Sequence, residues 1–241
     1  MSLPAEIYAV EAVRAIDRAA IDEAGISGYK LMTRAAEAAL QHARETFPDA
    51  SRWQVVCGAG NNAGDGYVLA RLAAGQGITV SAVAVTSPAS LAGDAATAYG
   101  DFEADGGMAM EWQGELDADA DLLVEALLGS GLDRHVGGAF ADAVTAINNH
   151  AAPVVALDIP AGIHGDSGAA LGVAVRADLT VTFVGLKTGL FVADGQHHAG
   201  VVKFADLGIP AECRKAVPIE MRRIDDGAVN AALPPRRNDA H

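Results

Sequence analysis

Cationic side chains are scarce in this chain: 17 Lys and Arg stand against 31 Asp and Glu, a formal charge of −14. That balance lacks the basic footprint that carries nucleic-acid affinity, and it disfavours an anionic membrane surface. An anionic nucleotide would have to be captured by a local constellation, not by bulk charge. Cysteine is nearly missing too. Cys57 and Cys213 provide neither a disulfide framework nor a Cys-x-x-Cys metal pair. No apolar stretch reaches the ~20 residues of a membrane-spanning helix, and residues 1–8 lack the basic start and apolar run of a secretory signal. The expected address is a reducing cytoplasm. Aromatics make up only 5% although 51% of residues are hydrophobic, so the core must be built from small side chains, as suits helices packed closely on a sheet. The length of 241 residues fits one large α/β domain, or one domain and a tail.

What is present is a regular alternation. Val10, Val13, Ile16, Ala20 and Ile21 recur at helical spacing over residues 10–23, until Gly25 and Gly28. A second helix is predicted over about 30–45, with Leu31, Ala35, Ala38, Ala39 and Ala43 inward and Pro48 beyond it. Strands are then predicted at 53–57, 78–85, 108–112, 121–127 and 153–159, with helices at 65–74, 90–105 and 138–149 between them. Two further strands, 179–184 and 201–206, follow a loop at 162–176 and would finish one edge. Strands separated by helix-length segments imply βαβ units. The fold class read from this pattern is α/β, a Rossmann-like three-layer sandwich on a mainly parallel sheet, preceded by two helices. After residue 210 the periodicity fades, and residues 234–241 end abruptly, like a linker cut before another unit.

The sequence is organised around Gly58-Ala59-Gly60-Asn61-Asn62-Ala63-Gly64-Asp65-Gly66, between a predicted strand and a predicted helix. Glycine and asparagine there permit positive φ and close approach to a ligand, and a helix N-terminus offers unpaired N–H groups. The stretch is not a P-loop, lacking the Gly-Lys-Ser/Thr ending, and its spacing is not the dinucleotide fingerprint. Asp65 stands where phosphate would sit. It is suited to ribose hydroxyls or a cation, or simply to capping the helix.

Ligands of open α/β sheets bind outside the carboxyl ends of the strands, and four predicted strand ends here each present a charged residue beside glycine. The first delivers the 58–66 stretch. The second delivers Glu125 and then Gly129-Ser130-Gly131-Leu132-Asp133-Arg134-His135, which reads as a second phosphate-contacting loop. The third delivers Asp158 with Ile159-Pro160-Ala161-Gly162, and the fourth leads to Lys187-Thr188-Gly189. Asp158 and Lys187 in one pocket would form an acid/base pair whose pKa values respond to burial and to each other. Each residue also has a plainer role. Asp158 forms turns and Pro160 ends a strand, Lys187 is solvated, and Glu125 is held by a salt bridge. His197 and His198 lack metal-ligand spacing and read as surface, and Cys57 reads as a buried filler.

These motifs, together with Ala177-Asp178-Leu179-Thr180-Val181-Thr182-Phe183 and Lys187-Thr188-Gly189-Leu190, occur in an order and spacing that resembles the YjeF N-terminal family, the NAD(P)HX epimerases of nicotinamide nucleotide repair. The similarity runs from about Glu11 to Pro210. It implies a Rossmann-like fold, often dimeric, that interconverts the R and S forms of hydrated NADH and NADPH at C6; a partner dehydratase restores only the S form. By the family pattern Asn61, Asn62, Ala63, Gly64 and Asp65, then residues 129–135, and Asp158 contact the substrate. Asn62, Glu125 and Ala161 surround one potassium ion per subunit. Asp158 and Lys187 are assigned the catalysis from chemistry and position. The resemblance places the domain at residues 1–215, with 216–241 a linker to a covalently attached dehydratase domain. Three positions depart from the usual pattern: Ala63 for glycine, Glu125 for aspartate, and Ala161 for a serine whose hydroxyl could ligate potassium. A backbone carbonyl at 161 could still serve. The alternative is a non-catalytic nucleotide-binding or scaffold module on the same fold. A nicotinamide-dependent dehydrogenase is disfavoured by the glycine spacing and the aspartate.

Overall fold

A computed structural model describes residues 3–224 together with 227, 229 and 232; the expectation for residues 234–241 lies outside them. The main sheet is built from β2 (Arg52–Cys57), β3 (Thr79–Ala84), β4 (Ala109–Glu111), β5 (Leu122–Ala126), β6 (Val154–Leu157), β7 (Leu179–Phe183) and β9 (Val201–Ala205). Its order is β4-β3-β2-β5-β6-β7-β9, and every neighbouring pair is parallel. The chain runs outward from β2 through β3 to β4, then restarts on the other side of β2 with β5. That reversal opens a crevice beyond the carboxyl ends of β2 and β5, the switch point where doubly wound sheets bind ligands.

Helices α1 (Val10–Asp22), α2 (Gly28–Thr46), α3 (Gly60–Gly75) and α4 (Gly93–Ala104) share one core with the strands, while α5 (Ala139–Asn149) packs on the opposite face. The period-two alternation of the strands sorts the residues. Leu122, Val124 and Ala126 join the first cluster, Leu123 and Leu127 the second. Glu125 therefore points with Leu123 and Leu127 toward the α5 side. A short helix α6 (Gly195–His198) holds His197 and His198.

The boundaries differ from expectation at two informative places. Gly28 does not stop a helix; it opens α2, with Ser27 as N-cap accepting the Lys30 N–H at 3.3 Å. More importantly, α3 begins at Gly60 and not near Asp65, so residues 61–65 are the first helical turns. Asp65 is therefore not the cap. Most glycines there serve close packing and not ligand approach. A Cβ on Gly66 would meet the Ala126 Cβ at 2.6 Å and the Cys57 Sγ at 3.0 Å; one on Gly64 would meet Met32 Cε at 2.6 Å. Of the stretch, Gly60 has positive φ, +71°. Gly66→Ala overpacks the seam between α3 and β5 and is expected to cost about 1–3 kcal/mol, read as a lower urea midpoint at unchanged m-value.

A second, small sheet has no counterpart in the sequence reading. In it β1 (Glu6–Tyr8) lies between β8 (Leu186–Lys187), parallel, and β10 (Met221–Arg222), antiparallel. Tyr8 is the register partner of Lys187, so the first strand of the chain clamps the lysine at the site. β10 lies within the stretch that the sequence assigns to a linker. Among the described residues no helix is long and apolar enough to cross a membrane.

Candidate active site

The crevice has two lobes, of about 400 Å³ and about 250 Å³. The larger is lined by Ala59, Asn61, Asn62 and Asp65 from the start of α3, by Leu128 to Arg134 from the loop after β5, by Asp158 from the end of β6, and by Arg14 of α1. Asn61, Asp65, Ser130, Asp158 and Arg14 also line the smaller lobe, together with Asp17 and Lys187 and an apolar wall that includes Leu31, Met32 and Phe183. Three of the residues read as substrate contacts are elsewhere. Ala63 and Gly64 are buried, Gly64 against α2 and α4, and the His135 ring lies against Gly172.

Lys187 and Asp158 meet as an ion pair. Lys187, 2% exposed, spends its other two donors on the Thr182 hydroxyl at 3.1 Å and the Phe183 carbonyl at 2.8 Å. Its three N–H groups are therefore all satisfied, as a buried ammonium requires. The second oxygen of Asp158 accepts the Ser130 N–H at 3.2 Å. Burial pushes the Asp158 carboxyl up, but the Lys187 ammonium and the Ser130 hydrogen bonds outweigh it and hold it below the ordinary carboxylate range.

The backbone beneath this pair is strained twice. Asp158 has φ +71°, and the Ile159 N–H closes onto the Leu157 carbonyl at 2.9 Å. On the neighbouring strand Val184 has φ +68°, and the Gly185 N–H closes onto the Phe183 carbonyl at 2.7 Å. Both are three-residue turns of the rare positive-φ form, and for a β-branched valine that conformation is a true outlier. Such strain persists where surrounding structure fixes it and clusters at functional sites. Here the two turns aim Asp158 and return the chain so that Lys187 reaches back to it.

Asp65 contrasts with Asp158. Burial first, and then the negative charge of Asp158, push its carboxyl well above the usual range. The cleft thus places a carboxyl biased toward its protonated form near an ionised one. Pairs whose environments drive their pKa values apart are how a site supplies an acid and a base together.

The candidate ion site is more enclosed. Asn62 is buried, and neither its Oδ1 nor its Nδ2 has a partner among the described residues. An orphaned buried amide is costly, and a hard cation at Oδ1 would relieve it. Glu125 is fully buried and has no salt bridge among the described residues: Oε1 accepts the Leu127 N–H at 2.7 Å and Oε2 the Ala161 N–H at 3.1 Å. Burial lifts its pKa to about 7 against those backbone bonds. Ala161 brings no side-chain oxygen, and its carbonyl already accepts the Val175 N–H at 2.9 Å. The unpartnered Asn62 Oδ1 is an oxygen donor that a cation could engage. Among the described residues no three His, Cys, Asp or Glu side chains cluster to hold a metal. Glu125→Ala strands two buried N–H groups and is expected to cost about 2–5 kcal/mol, measurable by urea denaturation.

Sequence reasoning missed Arg14 and Asp17. The available signal was in α1, where Asp17 stands four residues after Val13 and four before Ile21, interrupting an apolar stripe that also lines the cleft.

A doubly wound sheet with a polar, acid-rich cleft at its switch point defines an α/β protein with a candidate ligand site where such sheets bind ligands. The chain belongs to the family described as YjeF-related protein N-terminus, whose model matches residues 28–189. The bifunctional NAD(P)H-hydrate repair enzyme Nnr of Escherichia coli (strain K12) is 36% identical over 241 residues, all of this chain and 47% of its own length. The chain thus spans about half of that bifunctional relative. An NAD(P)H-hydrate epimerase of Limosilactobacillus fermentum is 41% identical over 196 residues, 80% of this chain and 93% of its own. Among solved structures, yeast ynu0, YNL200c, superposes with a TM-score of 0.71 at 16% identity, covering 86% of this chain and 91% of that one, and shares the fold.

Proposed function

We propose that this chain is an NAD(P)HX epimerase that interconverts the R and S forms of hydrated NADH and NADPH. The observation that carries the reading is the Asp158–Lys187 ion pair at the junction of both lobes, positioned by two strained turns. The relative named for epimerase activity over nearly its whole length supports it. Asn61, Asp65 and the loop 129–134 hold the dinucleotide, with Arg14 and Arg134 as the cations nearest its phosphates. Ionised Asp158 accepts a proton or hydroxyl hydrogen bond from the substrate; Lys187 is the donor of the pair, and recovers the proton it gives from Asp158 across the ion pair. Asn62, with Glu125 and the Ala161 carbonyl behind it, holds one potassium ion per subunit, which would fix the start of α3 electrostatically. The protein acts as a homodimer in a reducing cytoplasm, where buried Cys57 and Cys213 stay free. Residues 1–215 are its domain, and the following segment leads to a fused dehydratase.

The test supplies the R form together with a dehydratase that accepts only the S form, and measures recovery of NADH with and without potassium. Recovery well above the spontaneous rate, higher with potassium, is expected. Ligand binding with recovery at the spontaneous rate would leave the non-catalytic binding module as the better reading.

A further inference from the structure

Helix α1 precedes the part of the chain matched by the family model, yet it walls the smaller lobe with Val13, Arg14, Asp17 and Ile21. Of these Asp17 is anomalous. It sits half-buried on the apolar side of α1, with no hydrogen bond or ion pair to any of the described residues. Arg14 and Arg18, its neighbours along the helix, turn instead to Glu11. The Asp17 oxygens are not among the buried polar atoms left without a partner among the described residues, so they open to the lobe and not to the core.

Its surroundings give it a use. Asp17 lines the same 250 Å³ lobe as Lys187, Asp158 and Asp65. Four carboxyls line that lobe, Asp17, Asp65, Asp94 and Asp158, against the Lys187 ammonium and the Arg14 guanidinium. Lys187 is committed to Asp158, Thr182 and Phe183, which leaves Asp17, Asp65 and Asp94 as the lobe's carboxyls without an ion pair among the described residues. Asp65 lies on α3 and lines both lobes; Asp17 lies on α1 and lines only the smaller one, beside Leu31, Met32 and Phe183. An apolar wall with a few convergent polar groups is what a flat, weakly polar ring requires, whereas phosphates and riboses belong with the polar larger lobe.

We propose that Asp17 is a further catalytic residue: it contacts the hydroxyl of the hydrated nicotinamide ring from α1, while Asp158 approaches from the end of β6. The inference rests on the epimerase reading and extends it. In an inversion by ring opening, the hydroxyl gives its proton to a carboxylate as the C6=O bond forms and the C6–N1 bond breaks. N1 takes the electron pair and a proton from a carboxylic acid. N1 then adds to the other face of the C6 carbonyl, losing its proton as the oxygen regains one, so nothing is consumed. A site with proton-exchanging groups on two separate elements serves both faces; a single pair serves one. The same electrostatics that act on Asp65 act on Asp17. Burial raises its carboxyl, Lys187 opposes this, and Asp158 adds to it.

Asp17→Asn and Asp17→Glu test this by steady-state kinetics on the full chain, with the melting temperature as a check on folding. Asn is isosteric and breaks no bond in the protein, so its melting temperature should stay at that of the parent. The expected result is a fall in kcat of about 10²–10⁴-fold for Asn, KM within about threefold, and partial recovery with Glu. A kcat for Asn within about threefold of the parent, or a raised KM at unchanged kcat, would overturn the role. An inactive parent chain would instead remove the epimerase reading beneath it.

Discussion

Asp158→Asn is expected to lower kcat by about 10²–10⁴-fold while the chain still folds. The substitution is chosen for the backbone. Residue 158 has φ +71°, which asparagine tolerates better than most side chains, so the turn after β6 should persist. The amide retains an oxygen for the Lys187 ammonium, but it loses the charge and the second acceptor, which takes the Ser130 N–H in the parent. What disappears is the carboxylate that the Lys187 ammonium holds below its ordinary pKa, and with it an ionised acceptor at the junction of the two lobes. Lys187, 2% exposed, is left with neutral acceptors alone, so stability should also fall, though less than on full removal of a partner. Activity that survives this change would place the chemistry elsewhere in the cleft.

Lys187→Met should have the largest effect on stability, about 3–5 kcal/mol at neutral pH, because it leaves the Asp158 carboxylate without its ion. The pH dependence identifies the cause. In the parent the folded-state pKa of Asp158 is depressed. Its contribution is therefore present above the unfolded-state pKa and lost as pH falls through the folded-state value. Without the lysine, burial dominates and the shift reverses. The carboxyl then favours its proton in the folded state, so the variant gains stability as pH falls. The gap between parent and variant should be widest at neutral pH and close under acid, as read from urea midpoints across pH. A gap that stays constant would assign the loss to packing and to the abandoned Thr182 and Phe183 acceptors.

Much of the scaffold was legible because strong periodicity survives in sequence. The strands predicted at 53–57, 121–127 and 201–206 are Arg52–Cys57, Leu122–Ala126 and Val201–Ala205. The small sheet was not legible, since β8 and β10 have two residues each and β1 three, too short for any period to register. Yet it clamps Lys187. The glycine stretch misled for a different reason. Four glycines and two asparagines argue against helix by propensity, but Gly64 and Gly66 let α3 press onto α2 and β5, and that packing wins. Asp158 and Lys187 could be proposed from their positions after strands. Asp17 left only its interruption of the apolar stripe of α1 as a signal, and one carboxylate on an amphipathic helix reads as solvent-facing until the helix is placed over the cleft.

The most direct test of the central claim needs no coupling enzyme. Purified R and purified S forms of hydrated NADH are each incubated with the chain, and both epimers are followed by chromatography. The account predicts that the two mixtures converge on one composition at rates proportional to protein concentration, and that the Asp158→Asn chain does not accelerate either. Convergence at the spontaneous rate, with the ligand demonstrably bound, would contradict it.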